Sequence, residues 1–222
     1  MADKPIIFSA AMVNALLAGR KTQTRRLMPH QETLKVAYSP IVSGIRIFNY
    51  AGEEEISRPP VKVGDRLYVR EHWRIETTAY DCFPPREIPP SQPILCEADA
   101  DWGENKTVGR FRQAMHMPRW ASRLTLTVTD VRVQRLQDIS EEDARAEGIE
   151  RLRSGRGFYD PTVCRAAVRF GEWTSTARQG FSRLWNSIHG PDAWDANPWV
   201  AAYSFTVQRG NIDSLTTRKE NA

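Results

Sequence analysis

Residues 124–133 constrain the fold more than any other stretch of this chain. Leu124, Leu126 and Val128 alternate with Thr125 and Thr127, the period of a half-buried β-strand. Apolar residues resume at Val131 and Val133, so the apolar parity shifts from even to odd across Thr129-Asp130. One inserted residue does this, and the pattern predicts a β-bulge or sharp bend there, a device by which a sheet curls toward a barrel. Further strands are predicted at Ile6 to Phe8, at 33–38 and 45–49, and from Arg66 to Trp73. A last strand places Trp199, Ala201, Tyr203, Phe205 and Val207 on a single face.

Three helices are predicted. The first starts at Ser9, carries Met12, Val13, Leu16 and Leu17 on one face and ends at Gly19. Ser140-Glu141-Glu142-Asp143 resembles a capping box opening a short helix that stops at Gly148. Ala177, Phe181, Leu184, Trp185 and Ile188 form the apolar stripe of the third. Strands outnumber helices and do not alternate with them as βαβ units. The fold class is therefore α+β, a small, mostly antiparallel barrel decorated with helices. A single domain over 1–208 accommodates the pattern, with insertions near 75–117 and 150–175 and a polar, flexible tail over 209–222. Five prolines between Pro84 and Pro93 mark a surface loop within the first insertion.

Several function classes drop out. No apolar run approaches the roughly 18 residues of a membrane span, and the N-terminal apolar stretch is too short and broken for a signal peptide. Cys82, Cys96 and Cys164 are odd in number and far apart, which points to a reducing cytoplasm rather than a disulfide framework. There is no Gly-rich phosphate loop and no Gly-x-Ser-x-Gly elbow. His30, His72, His116 and His189 lack zinc spacing, so neither a metal nor another cofactor is expected. The net charge of +4 says little about partners. Its make-up says more: 25 of the 31 cations are arginine, the residue suited to bidentate phosphate and base contacts, or simply the product of a GC-rich genome.

Three features converge on a polar cleft. Arg20-Lys21-Thr22-Gln23-Thr24-Arg25-Arg26 carries four cations and no apolar side chain, so it is expected to face solvent or line that cleft. Lys21 is the one lysine between Lys4 and Lys35, and neighbouring arginines lower a lysine's pKa toward use as a base. A helical or turn conformation would bring the Thr24 hydroxyl to its amine. The bland alternative is a solvated basic helix end. Glu147, in the last turn of the second helix, opposes the helix dipole unless something uses it. Glu71 projects beside Trp73 from an apolar strand face, where it needs a cation or a ligand.

These residues carry a family resemblance. Gly19-Arg20-Lys21-Thr22-Gln23-Thr24-Arg25-Arg26 resembles the signature of the ASCH domain, a PUA-like β-barrel family with the pattern Gly-x-Lys-x-x-(Glu or Thr)-x-Arg after its first helix. Val63 to Glu71 resembles the family's Gly-Asp strand, and Val128 to Ile149 is similar to its later strand and short helix. Asn197-Pro198-Trp199-Val200 resembles the larger phage and prophage members. Within the family, small amidohydrolases deacetylate N4-acetylcytidine with a lysine, a threonine three residues on and a glutamate in the short helix. The resemblance carries those roles to Lys21, Thr24 and Glu147.

On that reading Lys21 takes a proton from Thr24 or water, the oxygen attacks the acetyl carbonyl, and Glu147 protonates the leaving amine. Arg25 and Arg26 with Glu71 and Arg119 line the substrate, and Arg26 holds the oxyanion or a phosphate. Trp73, Trp120 or Trp199 stacks on the base, or packs in the core instead. This chain is about twice the length of those enzymes. The competing class is a non-catalytic module for single-stranded RNA, or a ribonuclease-like relative, in which the same arginines contact phosphates. A third is a phage accessory protein that meets a protein partner through the insertions.

Overall fold

The computed structural model describes residues 2–29, 59–99, 108–160 and 173–215, with 35–37 and 46–48 as backbone. Its elements, in chain order, are β1 (Asp3–Ile7), α1 (Ala10–Leu17), β2 (Gln23–Leu27), β3 (Lys35–Ala37), β4 (Arg46–Phe48), β5 (Arg66–Arg70), β6 (Trp73–Ile75), β7 (Ile94–Cys96), β8 (Leu124–Arg135), α2 (Glu141–Ala146), β9 (Glu150–Arg151), β10 (Phe158–Tyr159), α3 (Ala177–His189) and β11 (Trp199–Arg209). The α+β class holds. The largest sheet has the order β1-β5-β8-β11-β2, with β1 parallel to β5 and the pairs β5–β8 and β11–β2 antiparallel. Among the described residues no pairing joins β1 to β2. No described helix is long and apolar enough to cross a membrane.

Two compact units share the chain. The first takes Met1–Gly19, Gly64–Thr127 and Thr206–Ala222; the second takes Arg20–Val63 and Val128–Phe205. In the first unit, Val13, Ala15 and Leu16 bury one side of α1. The helix ends as expected: Gly19 adopts φ 69°, a left-handed conformation that costs glycine little. The strand expected from Arg66 to Trp73 is broken in two. β5 pairs with β1 and β8, whereas β6 pairs with β7. Glu71 sits at the break, its carboxylate held by Arg123.

The stretch read as an insertion from residue 75 builds a core of its own. Trp73, Ile75, Ile88, Cys96, Met117 and Ala121 pack as one cluster with Trp120 against it. The proline-rich loop contributes Ile88 to that cluster and a 3₁₀ turn at Pro85–Glu87. The tail expected from 209 is partly anchored: Asn211 Nδ2 donates to the carbonyls of Arg119, Trp120 and Ser122, and Ile212 is buried. Residues 216–222 lie outside the described residues.

In the second unit β2 pairs with β11 from Val200↔Leu27 to Ser204↔Gln23. The segment expected as a helix end or turn is thus a strand, because β11 offers it a hydrogen-bonding edge. Val200, Ala201, Ala202 and Tyr203 are all buried, so β11 is covered on both faces there rather than on the one expected. Along β8 the alternation breaks where the sequence indicated, with Thr129 and Asp130 exposed in succession. Between the backbone bonds Gly210 N–H to Arg123 O and Leu136 N–H to Pro198 O, β8 has one residue more than its partner strand, which is the count of a bulge.

Ser140 Oγ accepts from Asp143 N at 3.0 Å and caps α2. The Glu141 carboxylate accepts from the first amides of α3, Ala177 N at 2.8 Å and Arg178 N at 3.2 Å. This ties the first turns of the two helices together and places negative charge at the α3 N-terminus. Ala177, Gly180, Phe181, Leu184 and Trp185 are the buried stripe of α3. Ile188, expected on that stripe, is 52% exposed near the helix end. The predicted strands within 33–38 and 45–49 are present as β3 and β4, paired with each other. The arginine-rich stretch after 150 contains the small β9–β10 hairpin, and 161–172 lie outside the described residues.

Candidate active site

Alternation along β2 puts Gln23 and Arg25 on one face and Thr24 and Arg26 on the other. The hydrogen bonds agree. Arg25 Nη1 donates to Gln23 Oε1 at 2.6 Å, and Arg26 Nη1 donates to Thr24 Oγ1 at 3.0 Å. Lys21 precedes the strand and reaches the end of α2, where Glu147 is the C-terminal cap residue. Its Nζ donates to Glu147 Oε2 at 2.6 Å and to the Glu147 carbonyl at 2.8 Å. The Thr22 amide donates to the Ala146 carbonyl at 2.8 Å. The last carbonyls of α2, which have no partner within the helix, are thus satisfied by the entry into β2. A cation at a helix C-terminus is also the favourable sign.

Lys21 and Glu147 are both buried, with side chains 1% and 4% exposed. The second Glu147 oxygen, Oε1, accepts from Arg25 Nη1 at 3.0 Å. Arg25 Nη2 donates to Asp143 Oδ2 at 2.9 Å, and Asp143 also accepts from Gln23 and Arg132. Gln23 in turn donates to Ser204 Oγ on β11. Lys21, Gln23, Thr24 and Arg25 are therefore buried rather than solvated, whereas Thr22 is exposed and Arg20 and Arg26 are half-buried. Lys21 and Arg25 take their counter-ions from one helix, an arrangement that compensates the desolvation of each charge.

Burial pushes the Lys21 amine below its ordinary pKa. The charge and hydrogen bond of Glu147 work against this, and the charges of Arg26 and Arg25 add to the lowering. Burial likewise lowers Arg26, opposed by Glu147 and Tyr203. Burial, with Arg26 adding, lowers His189. Arg26 thus lies within electrostatic reach of Lys21, Glu147, Tyr203 and His189 while it holds the Thr24 hydroxyl. At Asp143, burial would raise the carboxyl. The hydrogen bond from Arg132 and the charges of Arg25 and Arg132 outweigh it, and the pKa falls below 3.8.

A carboxyl with a depressed folded pKa stabilises fully above its unfolded value, and that contribution is lost as pH falls through the folded value. The stability difference between wild type and Asp143→Asn is therefore expected to be complete at neutral pH and to shrink below about pH 4, near the unfolded aspartate value. Urea titrations of both proteins across acid pH measure it; a difference that stays constant to low pH would contradict the assignment.

The structure brings together Lys21, Glu147 and Arg25 in one hydrogen-bonded cluster, with Thr24 and Arg26 bonded to each other beside it. Trp199, also in this unit, is half-buried with the Arg135 guanidinium 4.3 Å from its ring centroid. The other expected substrate contacts belong to the first unit. Glu71 is buried and accepts from Arg123 Nε at 2.8 Å and Nη2 at 3.0 Å, the structural ion pair that was its alternative. Trp73 is fully buried, with Trp120 edge-on at 6.4 Å. Arg119 is paired with Asp3 and Asp213.

Asp143, Gln23, Arg132 and Tyr203 belong to the cluster or border it, and the sequence did not single them out. For Asp143 a signal exists: it stands four residues before Glu147 on one helix face. Among the described residues no group of three or more His, Cys, Asp or Glu side chains is arranged to hold a metal ion. No family model, curated protein or solved structure matches this chain.

Proposed function

We propose that this chain is a hydrolase of the ASCH type, with a PUA-like barrel as its finished fold, that removes the acetyl group from N4-acetylcytidine-type nucleosides. The observation that carries this reading is the buried 2.6 Å pair of Lys21 and Glu147, reached from the motif lysine and the short-helix glutamate. Lys21, once its ion-pair proton has passed to Glu147, takes the proton of Thr24 through one water. The Arg26 guanidinium, 3.0 Å from Thr24 Oγ1, favours the alkoxide. Thr24 Oγ1 bonds to the acyl carbon. Glu147 hands its proton to the departing cytosine amine as the C–N bond breaks, and the proton taken by Lys21 then crosses to Glu147. Water then releases acetate from Thr24 by the same route.

Phosphate contacts need cations that reach solvent. Lys21 and Arg25 are 1% and 2% exposed, which favours proton transfer over RNA-backbone binding at these two residues. Purified protein is expected to convert N4-acetylcytidine to cytidine, and Glu147→Gln to slow it at least about 10²-fold, the scale of general acid catalysis. Salt-sensitive binding of single-stranded RNA with no cytidine release would instead establish the non-catalytic module.

A further inference from the structure

The Tyr203 side chain is 1% exposed, yet its hydroxyl has no hydrogen-bond partner among the described residues. A buried hydroxyl without a partner is destabilising, and phenylalanine would bury the same ring without that penalty. The place of this orphan is specific. Tyr203 on β11 is the register partner of Thr24 on β2, and Ala201 is the partner of Arg26. Residues directly opposite on adjacent strands project from the same face of a sheet. Tyr203 therefore shares a face with Thr24 and Arg26, the face away from the Arg25–Asp143 ion pair.

We propose that the Tyr203 hydroxyl is the oxyanion donor for the acyl group attacked at Thr24, an inference that rests on the hydrolase reading above. When Thr24 Oγ1 bonds to the acyl carbon, the carbonyl π pair moves onto its oxygen. Tyr203 O–H donates a hydrogen bond to that oxygen and keeps its proton. On collapse the pair returns, the C–N bond breaks, and the hydroxyl is released from the oxygen. Burial, opposed by the charge of Arg26, pushes the Tyr203 phenol up to about 12, so it stays a donor at neutral pH. A donor with no partner among the described residues is free to serve the transition state more than the ground state, the condition for raising kcat.

Tyr203→Phe removes one oxygen and tests this. The variant is expected to melt at the wild-type temperature or up to a few degrees higher. Its kcat for N4-acetylcytidine is expected to fall about 10²- to 10³-fold with KM changed less than about threefold, the loss seen when one oxyanion donor is removed. A lower melting temperature would show that the hydroxyl has a partner inside the protein and would overturn the role. Wild-type turnover that persists in Tyr203→Phe would overturn it and leave the hydrolase reading intact. No turnover by wild type would overturn both.

Discussion

Lys21→Met is expected to release no measurable cytidine from N4-acetylcytidine and to be about 3 kcal/mol less stable than wild type. Both effects come from one buried amine. Methionine keeps the length and apolar stem of lysine, so little cavity is added. What disappears is the charge that faces Glu147 Oε2 at 2.6 Å and the donor to the Glu147 carbonyl at 2.8 Å. Arg25 still holds Glu147 Oε1, which puts the cost at the low end of that for breaking a buried pair rather than above it. The catalytic loss does not share that compensation, because Arg25 cannot deprotonate and so cannot replace Lys21 as a base. Urea unfolding separates the two effects: a folded, inactive variant is expected at low denaturant.

In the first unit, Trp73→Ala is expected to cost about 3–5 kcal/mol, the range for deleting a large core aromatic. Trp73 has no exposed surface and packs with Ile75, Ile88, Cys96, Met117 and Ala121. Its ring also meets Trp120 edge-on and lies 5.4 Å from the Arg112 guanidinium. If Trp73 instead stacked on a base, the variant would lose activity with its melting temperature unchanged. Thermal unfolding decides between the two.

What could be read from the sequence tracks how local the determinants are. The bulge in β8 was legible because it is written in consecutive residues, as two exposed positions inside an alternating run. The cap at Ser140 and the left-handed Gly19 are equally local. β2 was not legible. Residues 20–26 have no apolar alternation, and what makes a strand with buried polar side chains at Gln23, Thr24 and Arg25 is the edge of β11 and the carboxylates of Asp143 and Glu147, 118 and 122 positions beyond Arg25. Long-range ion pairs of this kind leave no periodic trace. For the site, Lys21 with Glu147 followed from motif resemblance and meets in the structure. Thr24 shows the limit of spacing arguments. An extended backbone turns its hydroxyl toward Arg26, whereas a helix would have carried it to Lys21. Parity alone places Tyr203 on an apolar face, but that its hydroxyl has no partner among the described residues is a property of the packed structure.

Cytidine release from N4-acetylcytidine, followed chromatographically for wild type and for Lys21→Met under conditions where both are folded, tests the proposal that the buried amine of Lys21 does acid–base chemistry on an acylated cytosine nucleoside. Steady release by wild type and none above background by the variant are expected. No release by wild type, or equal rates for the two proteins, would contradict it.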